Sequence, residues 1–64
     1  MIVNGEKIKL NNICTLKEFI LMQGYNINII ALELNSTFIK SSEYEKITLC
    51  DDDRLEIVCL MGGG

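Results

Sequence analysis

The first eleven residues carry the pattern of a β-hairpin. A short apolar run leads into Asn4-Gly5, and the following KIKL alternates basic with apolar side chains. Asn-Gly between two strand-like runs favours a type I′ turn, because both residues accept a positive φ. Alternation with a period of two turns every second side chain toward the same face of a strand. We therefore predict strands over residues 1–4 and 6–11.

The segment TLKEFILMQG has the spacing of one amphipathic helix. Thr15 is followed three residues later by Glu18, which is the capping-box pattern at a helix start. The apolar side chains at helical spacing are Leu16, Phe19 and Ile20. Gly24 stands where a left-handed residue ends many helices. The pattern predicts a helix over residues 16–23, with one face packed on a sheet.

The middle of the chain has the pattern of a second hairpin. The apolar face of its first strand comprises Ile30, Leu32 and Leu34. Asn35-Ser36 supplies the turn, and the return strand begins at Phe38. The polar segment Ser41–Glu45 is expected to form a turn or a short helix.

The last apolar segment, RLEIVCLM, follows the acidic turn CDDDR, in which Asp52 is able to accept a left-handed conformation. One face of the predicted strand comprises Leu55, Ile57, Cys59 and Met61, and the other comprises Glu56, Val58 and Leu60. We expect the first face, including Cys59, to lie on the core. One helix covers only one face of a sheet. Val58 and Leu60 therefore either meet neighbouring side chains on the outer face or form an apolar docking patch.

The predicted order is two strands, a helix, two strands, an irregular segment and a last strand. A single helix packed across one face of a small mixed β-sheet is a two-layer α+β arrangement. The 64 residues allow one domain, which we assign to residues 1–61, and residues 62–64 are expected to form a flexible glycine tail.

Composition argues against several classes of protein. Nine acidic and six basic residues give a net charge of −3, whereas a nucleic-acid binder needs a basic face. The sequence lacks the ~20-residue apolar run of a membrane span and the basic and apolar regions of a signal peptide. Three cysteines do not pair off into a disulfide framework, which favours a reducing compartment. We expect a cytoplasmic protein that binds neither nucleic acid nor membrane.

The residue patterns of catalytic and metal sites are missing from this sequence. It contains no histidine, no GxSxG and no phosphate-binding glycine loop. Cys14, Cys50 and Cys59 form no CxxC pair, so zinc ligands at suitable spacing are lacking. The three aspartates at 51–53 lack the spacing of a calcium-binding loop. We expect no catalytic residue, no metal and no bound cofactor.

The sequence ends in CLMGGG, and two interpretations of the three glycines stay open on these residues alone. The tail is either a frayed end without function or a reactive arm. A glycine carboxylate is ionised at pH 7, so it must be activated, for instance by adenylation, before it reacts. Glycine has no Cβ, so Gly62 and Gly63 would fit a narrow channel and give a partner access to the carboxylate of Gly64.

In order, spacing and length, these segments resemble the ThiS family of small sulfur carrier proteins, which have the ubiquitin-like β-grasp fold. The matching segments are VNGE, TLKEFI, IALELN, LCDDDRLEIV and the terminal Gly63-Gly64. Three positions depart from the family pattern. Asp52 replaces the glycine of a DGD turn, Ser36 replaces the glycine after the hairpin asparagine, and Lys40 lies near a position where proline is common. These departures affect turns and leave the tail unchanged.

The resemblance implies a cycle in thiamine biosynthesis. A ThiF-like enzyme would adenylate Gly64 with ATP. Sulfur from a cysteine-desulfurase-derived persulfide would replace AMP, and the thiocarboxylate would then donate sulfur to a ThiG-like thiazole synthase. The chain would be a carrier and co-substrate, with Val58, Leu60 and Met61 as candidate partner-docking residues. The alternatives are a MoaD-like carrier for molybdopterin synthesis, a ubiquitin-like modifier, and a non-covalent interaction module with an inert tail.

Overall fold

The computed structural model of the chain describes residues 1–10 and 12–60. Its strands are β1 (Ile2–Val3), β2 (Glu6–Lys7), β3 (Ile30–Leu34), β4 (Thr37–Ile39) and β5 (Arg54–Cys59). Its helices are the α-helix α1 (Leu16–Met22) and two 3₁₀ helices, Ile27–Ile29 and Ser41–Lys46. The predicted order of elements is confirmed, although the first two strands are shorter than predicted. No helix of the described ranges is long and apolar enough to cross a membrane.

The five strands form one mixed sheet in the order β2-β1-β5-β3-β4. β1 and β5 run parallel, with Ile2 opposite Arg54 and Val3 opposite Leu55. The other neighbouring pairs, β1–β2, β3–β4 and β3–β5, are antiparallel. The last strand in the sequence is therefore the central strand of the sheet.

Both predicted hairpin turns have left-handed residues at their two central positions. Asn4 and Gly5 have φ values of 51° and 85°, and Asn35 and Ser36 have values of 51° and 71°. These are the signs of a type I′ turn, whose twist matches that of the strands it joins. Ser36 adopts a conformation that glycine reaches without steric cost, so the second turn is strained where the first is not.

The helix begins and ends as predicted. Thr15 Oγ1 accepts a hydrogen bond from Glu18 N–H at 3.1 Å, and Glu18 Oε1 accepts one from Thr15 N–H at 2.8 Å. This reciprocal pair satisfies two amides that the helix itself leaves free. Gly24 has a φ of 85° directly after the helix, as a left-handed cap requires.

The core lies between the helical elements and one face of the sheet. Its buried residues are Met1, Val3, Leu16, Phe19, Ile20, Ile30, Leu32, Tyr44, Leu49, Leu55 and Ile57. Tyr44 comes from the 3₁₀ helix Ser41–Lys46, so the segment predicted as a turn or short helix contributes a large aromatic ring to the core.

One expectation about the last third of the chain is wrong. Cys59 is exposed, although its alternation with Leu55 and Ile57 placed it on the core face. It is the last residue of β5 and lies beyond the two residues that pair with β1, so only β3 flanks it. The acidic turn does not use the left-handed conformation that Asp52 is able to accept, since its φ is not positive. The turn closes instead by a bond from Asp53 N–H to Cys50 O at 3.1 Å.

Candidate functional site

The predicted site divides between described and undescribed residues. Met61 and the glycines Gly62, Gly63 and Gly64 lie outside the described residues. Val58 and Leu60 lie within them, Val58 near the end of β5 and Leu60 directly after it. The structure therefore describes the strand that leads to the predicted reactive carboxylate, and the first question is how firmly that strand is held.

The start of β5 is held by a network of hydrogen bonds around Asn35. Asn35 Nδ2 donates to Asp53 Oδ1 at 3.0 Å, and Arg54 N–H donates to Asn35 Oδ1 at 3.0 Å. Asp53 Oδ2 accepts in turn from Cys50 N–H at 2.8 Å. One side chain of the second hairpin turn therefore joins the acidic turn to the first residue of the strand.

Asp51 links the acidic turn to the opposite side of the sheet. Its Oδ1 accepts from Leu10 N–H at 3.2 Å and lies 3.4 Å from the terminal ammonium of Met1. The Leu10 hydrogen bond and, next, the positive charge of that ammonium hold the pKa of the Asp51 carboxyl below its usual value. The carboxylate is 72% exposed, so solvent screens its ion pair with Met1.

The C-terminal end of β5 has fewer hydrogen-bond partners than its start. Leu60 N–H donates to Ile29 O at 2.7 Å, which continues the pairing with β3 one residue past β5. On the other side, Asn4 Oδ1 accepts from Ile57 N–H at 2.7 Å. The turn asparagine thus takes the place of a strand residue at the point where β1 ends. Past Ile57, the described residues pair with this strand on the β3 side alone.

The outer face of the sheet, opposite the helix, carries three exposed apolar side chains. Phe38, Val58 and Leu60 are 62%, 59% and 63% exposed. Val58 lies opposite Ala31, whose side chain is small, in the β3–β5 register. Of the two alternatives for Val58 and Leu60, exposure excludes close packing against neighbouring side chains. Their role in docking remains a prediction.

Two acidic residues lie beside these apolar side chains. Glu33 and Glu56 are directly opposite one another on β3 and β5, and Phe38 is opposite Glu33 on β4. Like charges in directly opposed positions destabilise a sheet. Sequence reasoning missed this arrangement and the exposure of Phe38. The two-residue turn at Asn35-Ser36 would have revealed the register of β3 with β4, whereas the register with β5 depends on distant residues.

The three cysteines differ in how far their side chains are buried. Cys50 and Cys59 are exposed, and Cys14 is half-buried. Burial and, to a lesser extent, the negative charge of Glu18 raise the pKa of the Cys14 thiol above its usual value, so it stays protonated at pH 7. Within the described residues, no group of three potential ligands could hold a metal ion.

A family model described as "ThiS family" matches residues 1–64. The uncharacterized protein ycf40 of Trieres chinensis is 29% identical over 62 residues, which cover 97% of this chain and 85% of that protein. A thiazole synthase of Paramagnetospirillum magneticum is 30% identical over 64 residues, which cover all of this chain but 20% of that protein.

A solved structure described as the thiamine biosynthesis protein ThiS of Geobacter metallireducens is also similar. The TM-score is 0.81 at 23% identity, over 98% of this chain and 96% of that one. A solution structure of a thiamine biosynthesis protein from the same organism gives a TM-score of 0.79 at 23% identity, over 98% of this chain and 85% of that one. At this identity the likeness concerns the fold, and it confirms the predicted β-grasp arrangement.

Proposed function

The chain belongs to the ThiS family, and from this membership we propose that it is a sulfur carrier in the formation of the thiazole ring of thiamine. The observation that carries the proposal is the family match over residues 1–64, a range that includes the terminal Gly63-Gly64. The chain acts as a carrier and co-substrate in the cytoplasm, while its partner enzymes supply the catalytic groups.

Gly64 is the residue that reacts. A ThiF-like enzyme consumes ATP and joins AMP to the Gly64 carboxylate, releasing pyrophosphate. The terminal sulfur of a cysteine persulfide then displaces AMP and forms a carbon–sulfur bond, which gives an acyl disulfide. A thiol attacks the cysteine sulfur of that disulfide, and the thiocarboxylate leaves while the cysteine and the thiol become joined as a disulfide. Activation is necessary because a carboxylate is a poor electrophile at pH 7. Gly62 and Gly63 have no Cβ and, in this proposal, give the enzyme access to this carboxylate as a tail to the domain proposed for residues 1–61.

The sulfur acceptor in this proposal is a ThiG-like thiazole synthase. Support comes from the thiazole synthase of Paramagnetospirillum magneticum, in which a region similar to the whole of this chain occupies 20% of the polypeptide. Two functions joined in one chain commonly act on the same pathway. Docking uses the exposed Val58 and Leu60, together with Met61, because apolar side chains next to the tail would be buried when a partner encloses it.

The proposal is tested by the intact mass of the protein isolated from its native cells. A fraction should carry the mass gain of one oxygen-to-sulfur exchange, and fragmentation should localise it to Gly64. Conjugates joined to lysines of other proteins would indicate a ubiquitin-like modifier instead. A thiocarboxylate whose amount follows molybdopterin demand and ignores thiamine would indicate a MoaD-like carrier.

Deletion of Gly64 separates the tail from the fold. We expect the variant to keep the thermal midpoint of the parent, because the deletion leaves every buried core residue in place. It should lose adenylation and thiocarboxylate formation completely. Addition of one alanine after Gly64 is the matched control for blocking the end without shortening it. Sulfur loading in the deletion variant would contradict the assignment of Gly64.

A further inference from the structure

β5 has neighbours on both sides at its start and on one side at its end. β1 pairs with Arg54 and Leu55 only, and at the Asn4-Gly5 turn the chain turns away from β5 into β2, on the far side of β1. β3 pairs with β5 from Leu55 to Cys59 and therefore flanks it as far as its last residue. Beyond Ile57 the β1 side of β5 is an open sheet edge within the part of the chain that the structure describes.

The hydrogen bonds decide which main-chain groups point toward this open edge. In an antiparallel pair, alternate residues direct both N–H and C=O toward the partner strand. Asn35 N–H bonds Arg54 O at 2.8 Å, and Leu60 N–H bonds Ile29 O at 2.7 Å, so the even-numbered residues of β5 face β3. The main-chain N–H and C=O groups of the odd-numbered residues therefore point toward the β1 side.

Two further bonds on the β1 side agree with this alternation. Asn4 N–H bonds Leu55 O at 2.9 Å, and Asn4 Oδ1 accepts from Ile57 N–H. Next in this series are the C=O of Ile57 and both main-chain groups of Cys59. None of the described residues bonds these three groups. A donor and two acceptors in strand geometry are a template for one more strand.

The proposed function requires a partner beside this edge. Gly64 is four residues beyond Leu60, and an extended chain covers at most about 3.3–3.6 Å per residue, or roughly 14 Å in all. An active site that encloses the Gly64 carboxylate must therefore bring its channel within that distance of the end of β5. The partner's main chain at the channel entrance is then close enough to reach the groups of Ile57 and Cys59 that no described residue bonds.

We propose that an extended segment of the ThiF-like adenylating enzyme pairs with the open edge of β5 through the main-chain groups of Ile57 and Cys59. This inference rests on the proposed function and adds the mode of recognition. Strand addition uses main-chain bonds for affinity and the flanking side chains for selectivity. Here the flanking side chains are the exposed Val58 and Leu60 on the outer face.

A second copy of the chain is a poorer occupant of this edge. Each copy carries a net charge of −3, so two copies repel one another. The open edge also begins only after Ile57, and two such short edges would exchange few hydrogen bonds. A strand of the partner enzyme, in contrast, could form further main-chain hydrogen bonds along the tail, so their number is not limited by the length of the edge.

Cys59 gives a direct test, because its N–H faces the open edge and its side chain is exposed. Cys59→Pro removes that N–H and leaves the bonds to β3 intact, and a strand tolerates proline where its N–H faces an open edge. Cys59→Val is the matched control, since it changes the side chain and keeps the N–H. Both variants should fold with urea midpoints close to that of the parent.

The measurements are affinity for the adenylating enzyme and ATP–pyrophosphate exchange dependent on the carrier. Cys59→Pro should bind about tenfold more weakly, as expected for one lost main-chain bond in a desolvated interface. Cys59→Val should bind like the parent. If Cys59→Pro fails to fold, a synthetic chain with an ester in place of the 58–59 amide removes the same N–H and carries the same expectation.

The inference would be overturned if Cys59→Pro, or the ester chain in its place, bound the adenylating enzyme as tightly as the parent does. A parent dimer that becomes monomeric on Cys59→Pro would also overturn it, because a second copy would then occupy the edge. If the parent itself supports no exchange with the enzyme, the proposed function fails. If the parent is activated and the N–H proves irrelevant, the edge inference alone fails.

Discussion

The two ends of β5 differ in how completely they are enclosed. At the start, Leu55 is fully buried, β1 and β3 flank the strand, and Asn35 bonds both Arg54 and Asp53. At the end, Val58 is 59% exposed and β3 is the only described neighbour strand. One strand of six residues thus contributes to the core at its start and, in the proposed function, supports the reactive tail at its end.

This division has a physical reason. A sulfur carrier needs a rigid base, because a tail of few residues can reach an enclosed site only from a defined starting point. It also needs an accessible end, because a partner must approach closely. Burial at one end of β5 and exposure at the other meet both needs without a separate domain.

The sharpest test of this difference compares truncations at the two ends. Leu55→Ala should lower the free energy of unfolding by about 2–5 kcal/mol, because it leaves a cavity at a fully buried position. Val58→Ala should change it by less than about 0.5 kcal/mol. Urea unfolding followed by circular dichroism measures both. Similar losses in the two variants would mean that the ends of β5 do not differ as described.

The hydrogen bonds at the two ends can be compared through the turn asparagines. Asn35→Gly should lower stability by about 1–2 kcal/mol, because it removes two side-chain bonds at the start of β5. Asn4→Gly is the matched control, since it has the same φ of 51° and makes one such bond, to Ile57. We expect a smaller loss for Asn4→Gly in the same urea experiment. An equal or larger loss would contradict the stronger anchoring of the start.

The two hairpin turns allow an exchange of residues at equivalent positions. Ser36→Gly should raise stability by about 1 kcal/mol, because glycine adopts the φ of 71° without strain. For a domain of this size that corresponds to a thermal midpoint about 4–8 °C higher. Gly5→Ser should lower stability by a similar amount.

Position 5 suits the reverse exchange for a structural reason. A Cβ at Gly5 would meet no atom within 4 Å, so the effect of Gly5→Ser comes from the backbone alone. Scanning calorimetry on both variants measures the pair. A stabilising Gly5→Ser or a destabilising Ser36→Gly would show that the left-handed turn residues are not the source of the strain.

The smallest expected effect concerns Asp51 and pH. The pKa of its carboxyl is lowered in the folded state, chiefly by the hydrogen bond from Leu10, so the unfolded chain binds its proton more readily. The stabilisation is therefore complete above the usual aspartate pKa of about 3.9 and is lost as pH falls through the lower folded-state value.

Asp51→Asn should consequently lack this part of the acid sensitivity. Urea midpoints measured from neutral to strongly acidic pH should converge for the parent and the variant at the acid end. Asp52→Asn is the control for removing a carboxylate from the same turn, and no described residue donates a hydrogen bond to Asp52. If the urea midpoints of the parent and Asp51→Asn differed by the same amount at every pH, the link between the Asp51 pKa and stability would be contradicted.

Much of the local structure was predictable from short segments. The capping box of Thr15 and Glu18, the Gly24 cap and the two-residue turns all depend on residues within a few positions of one another. The burial of Leu16, Phe19 and Ile20 follows from helical spacing in the same way. Such features form wherever the local sequence occurs in a chain that folds, because the interactions behind them are short in sequence.

The candidate site was predictable only in part. Alternation correctly placed Val58 and Leu60 on the outer face, where they are exposed, whereas the role of the terminal glycines stays a prediction. The exposure of Cys59 was not predicted, since alternation along a strand says which face a side chain lies on and not whether that face is covered at that residue. The opposition of Glu33 and Glu56 also depended on the register between strands far apart in sequence.

By itself, the sequence determined the elements, their caps and turns, the apolar residues available for a core, and an ending of three glycines. Only the tertiary structure decided that β5 is the central strand, that β1 leaves it after Leu55, and that an open edge begins beyond Ile57. The physical reason is that local propensity acts between neighbours in the chain. Strand order, enclosure and unpaired main-chain groups depend on which distant segments come to lie side by side.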